Sequence, residues 1–129
     1  MNNPVNPTIA NLLKGKKFYD STSNLYINEE LIYAEGRMCD WNREPDYEEM
    51  EDPTSAPTIA QTISWFYKKH NLWIEAAYGF HPNGFYWLIT NTVTKKSYNS
   101  ETNAFQPSTI TPEEAYENAF KYAIEKLIP

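Results

Sequence analysis

The clearest hydrophobic periodicities lie in the second half of the chain. Apolar residues recur with helical spacing over residues 57–71, which predicts a helix with Pro57 in its first turn and an exit at Asn71. Residues 72–78 alternate between two faces, which predicts a strand. A proline and a glycine follow at turn positions, so residues 85–94 are expected to return as the hairpin partner. A short third strand is predicted near residues 97–99.

The end of the chain carries the most complete signal for a helix start. Thr111-Pro112-Glu113-Glu114 is a capping box, in which Thr111 caps free amides, Pro112 fits the first helical position and Glu114 reaches back. The residues that follow place alanine, aromatic and aliphatic side chains on one face, which is expected to pack on the sheet. Residues 57–129 therefore predict an α-β-β-β-α unit, a small antiparallel sheet covered by helices.

The first half is less regular. A short helix is predicted over residues 8–13, stopped by Gly15, and two strands over residues 24–27 and 31–34. Residues 37–57 are interpreted as irregular. The fold class is thus α+β, one domain of residues 1–129. It consists of an N-terminal helix and hairpin (1–43), an acidic linker or loop (44–56) and the α-β-β-β-α unit (57–129).

Two short stretches of the chain echo each other. PTIAN at residues 7–11 resembles PTIAQ at 57–61, and NLYI at 24–27 resembles NLWI at 71–74. A degenerate duplication would explain the echo and would give two helix-then-strand units in one sheet. Eight aligned positions also arise by chance, so both explanations stay open.

Length and cysteine content narrow the class of protein. A chain of 129 residues can bury a core without disulfides or a structural metal. Its single cysteine, Cys39, has no partner within the chain, which indicates a reducing compartment. No signal-peptide pattern and no run of eighteen apolar residues occurs, so neither secretion nor membrane insertion is expected. The expected location is the cytoplasm of a host cell.

Charge is concentrated in one segment. Six of the seventeen acids lie within residues 44–52, which contain no base, while the other eleven acids match eleven lysines and arginines. Without a basic stripe, direct nucleic-acid binding is not expected. The segment is either a solvated loop or a patch that competes for a basic surface. The candidate interaction residues are these acids and two aromatic residues beside them: Trp41, Glu44, Asp46, Tyr47, Glu48, Glu49, Glu51 and Asp52.

No catalytic or metal-binding constellation is recognisable. Cys39, His70 and His81 are the only thiol or imidazole residues, and their scattered spacing fits neither a zinc site nor a Cys–His nucleophile pair. No cofactor, no metal and no enzymatic activity are expected. The alternative is a small-ligand or nucleotide binder with an aromatic pocket. Its candidate residues are Trp73, Tyr78 and Trp87, with His81 at the mouth.

A longer pattern in the second half resembles a group of known proteins. It comprises PTIA at 57–60, Trp65, KH at 69–70, WI at 73–74, FY at 85–86, EEAYE at 113–117, Ala119, YA at 122–123 and LI at 127–128. This pattern resembles small uncharacterised proteins of phages and prophages from gut bacteria. The resemblance implies α-β-β-β-α units in which two helices cover a sheet, and it implies no activity.

The leading hypothesis combines these observations. The chain is interpreted as a non-catalytic phage or mobile-element accessory protein that binds a protein, such as a host or defence component. The alternatives are the ligand binder described above and a virion or assembly component. In the last case an exposed edge of the third strand would allow a homodimer.

Overall fold

The computed structural model describes residues 2–34, 36–43, 52–80, 83–100 and 111–129. In chain order the elements are α1 (Pro7–Gly15), β1 (Asn24–Ile27), β2 (Glu30–Tyr33), β3 (Thr54–Ser55), α2 (Ile59–His70), β4 (Leu72–Phe80), β5 (Asn83–Asn91), β6 (Ser97–Asn99), α3 (Pro112–Tyr122) and a π-helical turn (Ala123–Leu127). The strands form two three-stranded antiparallel sheets, which confirms the α+β class. The chain divides into two compact units, unit 1 (residues 1–61) and unit 2 (residues 62–129), with the boundary inside α2.

Unit 1 is built on the central strand β1, which pairs with β2 on one side and β3 on the other. Helix α1 begins at Pro7 because the Asn6 side chain accepts a hydrogen bond from the Ile9 amide at 2.9 Å. The apolar face of α1 is buried, and so are Leu25 and Tyr26 of β1. The Tyr26 hydroxyl donates to the Val5 carbonyl at 2.7 Å, which satisfies its polar end inside the unit.

Unit 2 is a sheet of order β4-β5-β6 with helices on its apolar face. The β4–β5 register pairs Ile74 with Ile89, and both side chains are buried. Phe66 of α2 stacks on Phe120 of α3 with ring centroids 5.6 Å apart and planes 18° apart. The predicted cap of α3 is confirmed, since the Thr111 hydroxyl accepts a hydrogen bond from the Glu114 amide at 3.2 Å.

The helix start predicted at Pro57 is corrected by a second capping box. The Thr58 hydroxyl accepts from the Gln61 amide at 3.1 Å, and the Gln61 side-chain oxygen accepts from the Thr58 amide at 2.9 Å. Helix α2 therefore begins at Ile59, and Pro57 precedes its cap. The predicted exit is confirmed, because Asn71 has a φ of 56°.

Three predicted strands have other bounds in the structure: those predicted over residues 31–34, 72–78 and 85–94 are observed at Glu30–Tyr33, Leu72–Phe80 and Asn83–Asn91. The hairpin strand predicted over residues 85–94 ends at Asn91, whose side-chain oxygen accepts hydrogen bonds from the Val93 and Thr94 amides and turns the chain. Within the segment predicted to be irregular, Thr54 and Ser55 form β3 against β1. The strands predicted over residues 24–27 and 97–99 are confirmed at both ends.

The two copies of the internal echo adopt related but different structures. In each copy the first stretch overlaps a helix and the second overlaps a strand. Pro7 is inside α1, however, whereas Pro57 lies before α2. The expectation that both units share one sheet is wrong, because β1 and β4 belong to separate sheets. The sheets also differ in order: the first strand is central in unit 1 and the second strand in unit 2.

Among the described residues, no helix combines the length and the hydropathy needed to cross a bilayer.

Candidate functional site

Most of the predicted interaction segment falls outside the described part of the chain. The structure describes Trp41 and Asp52, which stand just before and at the end of the acidic run. The remaining candidates lie outside the described residues: Glu44, Asp46, Tyr47, Glu48, Glu49 and Glu51. The described part of the site therefore consists of two stems: the first stem is residues 40–43, before the run, and the second stem is residues 52–55, at its end.

Trp41 fixes the first stem inside unit 1. Its side chain is 1% exposed, and its indole Nε1 donates to the Thr22 carbonyl at 2.8 Å. The Arg37 guanidinium lies 5.9 Å from the centroid of the Trp41 ring. The Trp41 ring is therefore buried in the core of unit 1, just before the acidic run, and is not exposed to a partner.

Asn42 joins the two stems. Its Nδ2 donates to the Phe18 carbonyl at 2.7 Å, and its Oδ1 accepts from the Ser55 amide at 2.8 Å. Both Phe18 and Ser55 have no exposed surface. This pair of contacts, called the Asn42 clasp below, holds residue 42 beside residue 55.

An ion pair reinforces the first stem. The Arg43 Nε lies 2.8 Å from the Asp40 Oδ2, and the Asp40 side chain is only 6% exposed. The Arg43 guanidinium carbon also lies 4.2 Å from the centroid of the Tyr19 ring. The other oxygen of Asp40 is buried and has no hydrogen-bond partner among the described residues. Arg43 is thus committed to Asp40 and Tyr19 at the point where the acidic run begins.

The second stem is held by Lys14 of α1. The Lys14 ammonium donates to the Asp52 Oδ1 at 2.8 Å and to the Pro53 carbonyl at 2.9 Å. The hydrogen bond from Lys14, together with its positive charge, lowers the pKa of Asp52 below its ordinary value of 3.8. Because the Asp52 side chain is 92% exposed, this ion pair adds little stability, and its main effect is to fix where the run ends.

A polar cavity of about 170 Å³ opens beside the second stem, within unit 1. It lies where the N-terminal half of α1, the β1–β2 turn and β3 meet. Its lining residues are Pro7, Asn11, Tyr26, Asn28, Glu29, Asp52 and Thr54. The sequence did not predict this cavity, because its lining residues come from three separate segments, residues 7–11, 26–29 and 52–54.

The three described residues of the alternative aromatic pocket are not brought together. Trp87 pairs with Ala76 and is 1% exposed, so it belongs to the buried face of the sheet. Trp73 pairs with Thr90 on the opposite face and is 44% exposed. Tyr78 lies on the Trp87 face at the far end of β4, against Phe85, and His81 lies outside the described residues.

Of the residues considered for metal or nucleophilic chemistry, Cys39 lies in unit 1, His70 lies in unit 2 and His81 lies outside the described residues. Cys39 is half-buried and pairs through its backbone with Thr22. His70 packs on Trp65, with ring centroids 4.9 Å apart. Within the described ranges, no group of three histidine, cysteine or acidic residues is placed to hold a metal ion.

Protein-family models, curated proteins and solved structures were each compared with this chain, and none matches it.

Proposed function

We propose that this chain is a non-catalytic protein-binding module whose contact segment is the acidic run, residues 44–52. The observation that carries the proposal is the Asn42 clasp, which ties both stems of the run to buried backbone groups of unit 1. A segment held at both ends loses less conformational freedom when it binds than a free linker does. Binding residues are often carried on loops that a rigid scaffold positions.

The distribution of charge supports a basic partner surface. All of the net charge of −6 comes from this run, because acids and bases balance in the rest of the chain. An acidic run on a neutral body attracts a complementary basic surface and speeds the encounter with it. Among the described residues, Arg43 pairs with Asp40 and Lys14 pairs with Asp52, the last acid of the run.

The proposed setting is the cytoplasm of a bacterial host. There the chain acts as a phage or mobile-element accessory protein, and its partner is a host or defence protein with a basic surface. The sequence pattern over residues 57–128 supports this setting through its resemblance to phage and prophage proteins.

Affinity capture tests the proposal. The tagged chain is incubated with lysate of a gut bacterium, with and without phage infection, and bound proteins are identified by mass spectrometry. The comparison variant has the six acids of residues 44–52 changed to their amides. The proposal predicts a specific protein that is retained by the native chain and lost by the variant. Identical capture by both would refute it.

A further inference from the structure

We propose that the polar cavity of unit 1 is a binding site for an arginine side chain of the partner protein. The inference rests on the proposed function and deepens it, because Asp52 is both the last acid of the run and part of the cavity wall. A partner that follows the acidic run would therefore reach the cavity at the end of the run.

The charge of the wall selects a cation. Glu29 and Asp52 line the cavity, and no basic residue is part of the lining. The wall already binds an ammonium group, since the Lys14 Nζ sits 2.8 Å from the Asp52 Oδ1. Lys14 also donates to the Pro53 carbonyl at 2.9 Å, so it keeps one hydrogen-bond acceptor when a guanidinium displaces it from the Asp52 carboxylate.

The hydrogen-bonding groups favour an organic cation over a metal ion. Among the described residues, no group of three histidine, cysteine or acidic residues is placed to hold a metal ion. A guanidinium carries five N–H donors in a planar fork, which suits several separate oxygens. The cavity offers such oxygens from the side chains of Asn11, Asn28 and Thr54 in addition to the carboxylates.

Thr54 is the innermost of these acceptors. It is 6% exposed, and its hydroxyl donates only a long hydrogen bond of 3.4 Å to the Asn11 Oδ1. Among the described residues, no donor reaches the Thr54 hydroxyl oxygen, which retains lone pairs for a guest. A guanidinium in the cavity would supply the missing donor at this buried position.

Shape and backbone conformation agree with this occupant. A volume of about 170 Å³ equals about five to six waters at about 30 Å³ each, enough for a guanidinium and its nearest methylenes. Asn28, Glu29 and Asp52 all have positive φ angles, of 52°, 66° and 46°, and all three line the cavity. Leu31 pairs with Tyr26 on the same sheet face and is 46% exposed, which offers apolar surface to the arginine stem.

The test uses a small probe with the full chain. Nα-acetyl-L-arginine N-methylamide is titrated into ¹⁵N-labelled protein, and amide shifts are followed by NMR. The uncharged isostere Nα-acetyl-L-citrulline N-methylamide is the ligand control. We expect saturable shifts at Asn11, Asn28, Glu29 and Thr54 with the arginine probe and much weaker shifts with the citrulline probe. Equal shifts with both probes, or shifts confined to residues away from the cavity, would overturn the inference.

Three variants sharpen the result. Glu29→Gln should weaken probe binding about two- to fivefold, the range of one exposed charge pair. Glu30→Gln removes the same charge from the next residue, which does not line the cavity, and should leave binding unchanged. Lys14→Gln removes the internal competitor and should tighten binding by a similar factor, a gain that a merely damaged fold would not produce. Equal losses in Glu29→Gln and Glu30→Gln, or weaker binding in Lys14→Gln, would contradict the assignment.

Failure of this inference is distinguishable from failure of the proposed function. If neutralising residues 44–52 abolishes capture of the partner but the arginine probe does not bind the cavity, the inference alone is refuted. If the probe binds but capture is insensitive to the acidic run, the proposed function fails, and the partner role of the cavity fails with it.

Discussion

Replacing Asn42 with alanine tests the clasp that joins the two stems of the acidic run. The change removes two hydrogen bonds, of 2.7 Å to the Phe18 carbonyl and 2.8 Å to the Ser55 amide. Both backbone groups belong to residues with no exposed surface. Removing the partner of a buried polar group costs about 1–3 kcal/mol. Two such groups lose their partner, so the free energy of unfolding of unit 1 should fall by about 2–6 kcal/mol.

Asn91→Ala is the matched control for this prediction. The Asn91 Oδ1 also makes two hydrogen bonds, to the Val93 and Thr94 amides at 2.9 Å, but these amides are exposed and water can replace the side chain. Its cost should be about 1 kcal/mol or less. Amide hydrogen exchange in increasing urea reports each unit separately, which is needed because a chain with two compact units need not unfold in one step. If Asn42→Ala destabilises unit 1 by no more than Asn91→Ala destabilises unit 2, the clasp is not what holds the two stems together.

Three further predictions concern other contacts. Because Lys14 lowers the pKa of Asp52 below 3.8, the contribution of this pair is present above that value and is lost as the pH falls through the lower, folded pKa. NMR titration should show the Asp52 pKa returning to its ordinary value in Lys14→Gln, and an unchanged pKa would contradict the pairing. A double-mutant cycle of Phe66→Leu and Phe120→Leu, followed by urea unfolding, should give a coupling of about 0.5–1.5 kcal/mol for the stacked rings, and additive losses would refute the stack. Thr111→Ala should cost about 0.5–2 kcal/mol in the same assay, because it removes the cap of α3, and a neutral result would show that the cap is dispensable.

The elements that the sequence predicts well are those whose signals are local. Alternation and turn residues place β1 and β6 at their observed bounds, and the capping box places the start of α3. Strand β3 was missed because two residues carry no periodicity, and its pairing with β1 depends on a contact distant in sequence. The start of α2 was misplaced because Pro57 was placed in the first turn of the helix, although the Thr58–Gln61 capping box fixes the start one residue after Thr58.

The candidate sites differ in the same way. The acidic run is contiguous, so composition alone locates it, whereas the burial of Trp41 depends on its contact with Thr22 and has no local signal. For the aromatic pocket a usable signal existed, because alternation along β4 already places Trp73 and Tyr78 on opposite faces. The cavity was beyond local reasoning, since only the pairing of β1 with β3 brings Thr54 beside Tyr26.

The affinity of the captured partner for two matched charge variants tests most directly whether the acidic run is the contact segment. One variant changes four glutamates of the acidic run to glutamine: Glu44, Glu48, Glu49 and Glu51. The other changes four exposed glutamates elsewhere in the chain: Glu30, Glu75, Glu114 and Glu125. Both variants alter the net charge equally, so a non-specific effect of charge would weaken them equally. Only the first variant should lose affinity, and the affinity of the native chain should fall as salt is raised. Equal affinities for the two variants would contradict the claim that the acidic run is the contact segment.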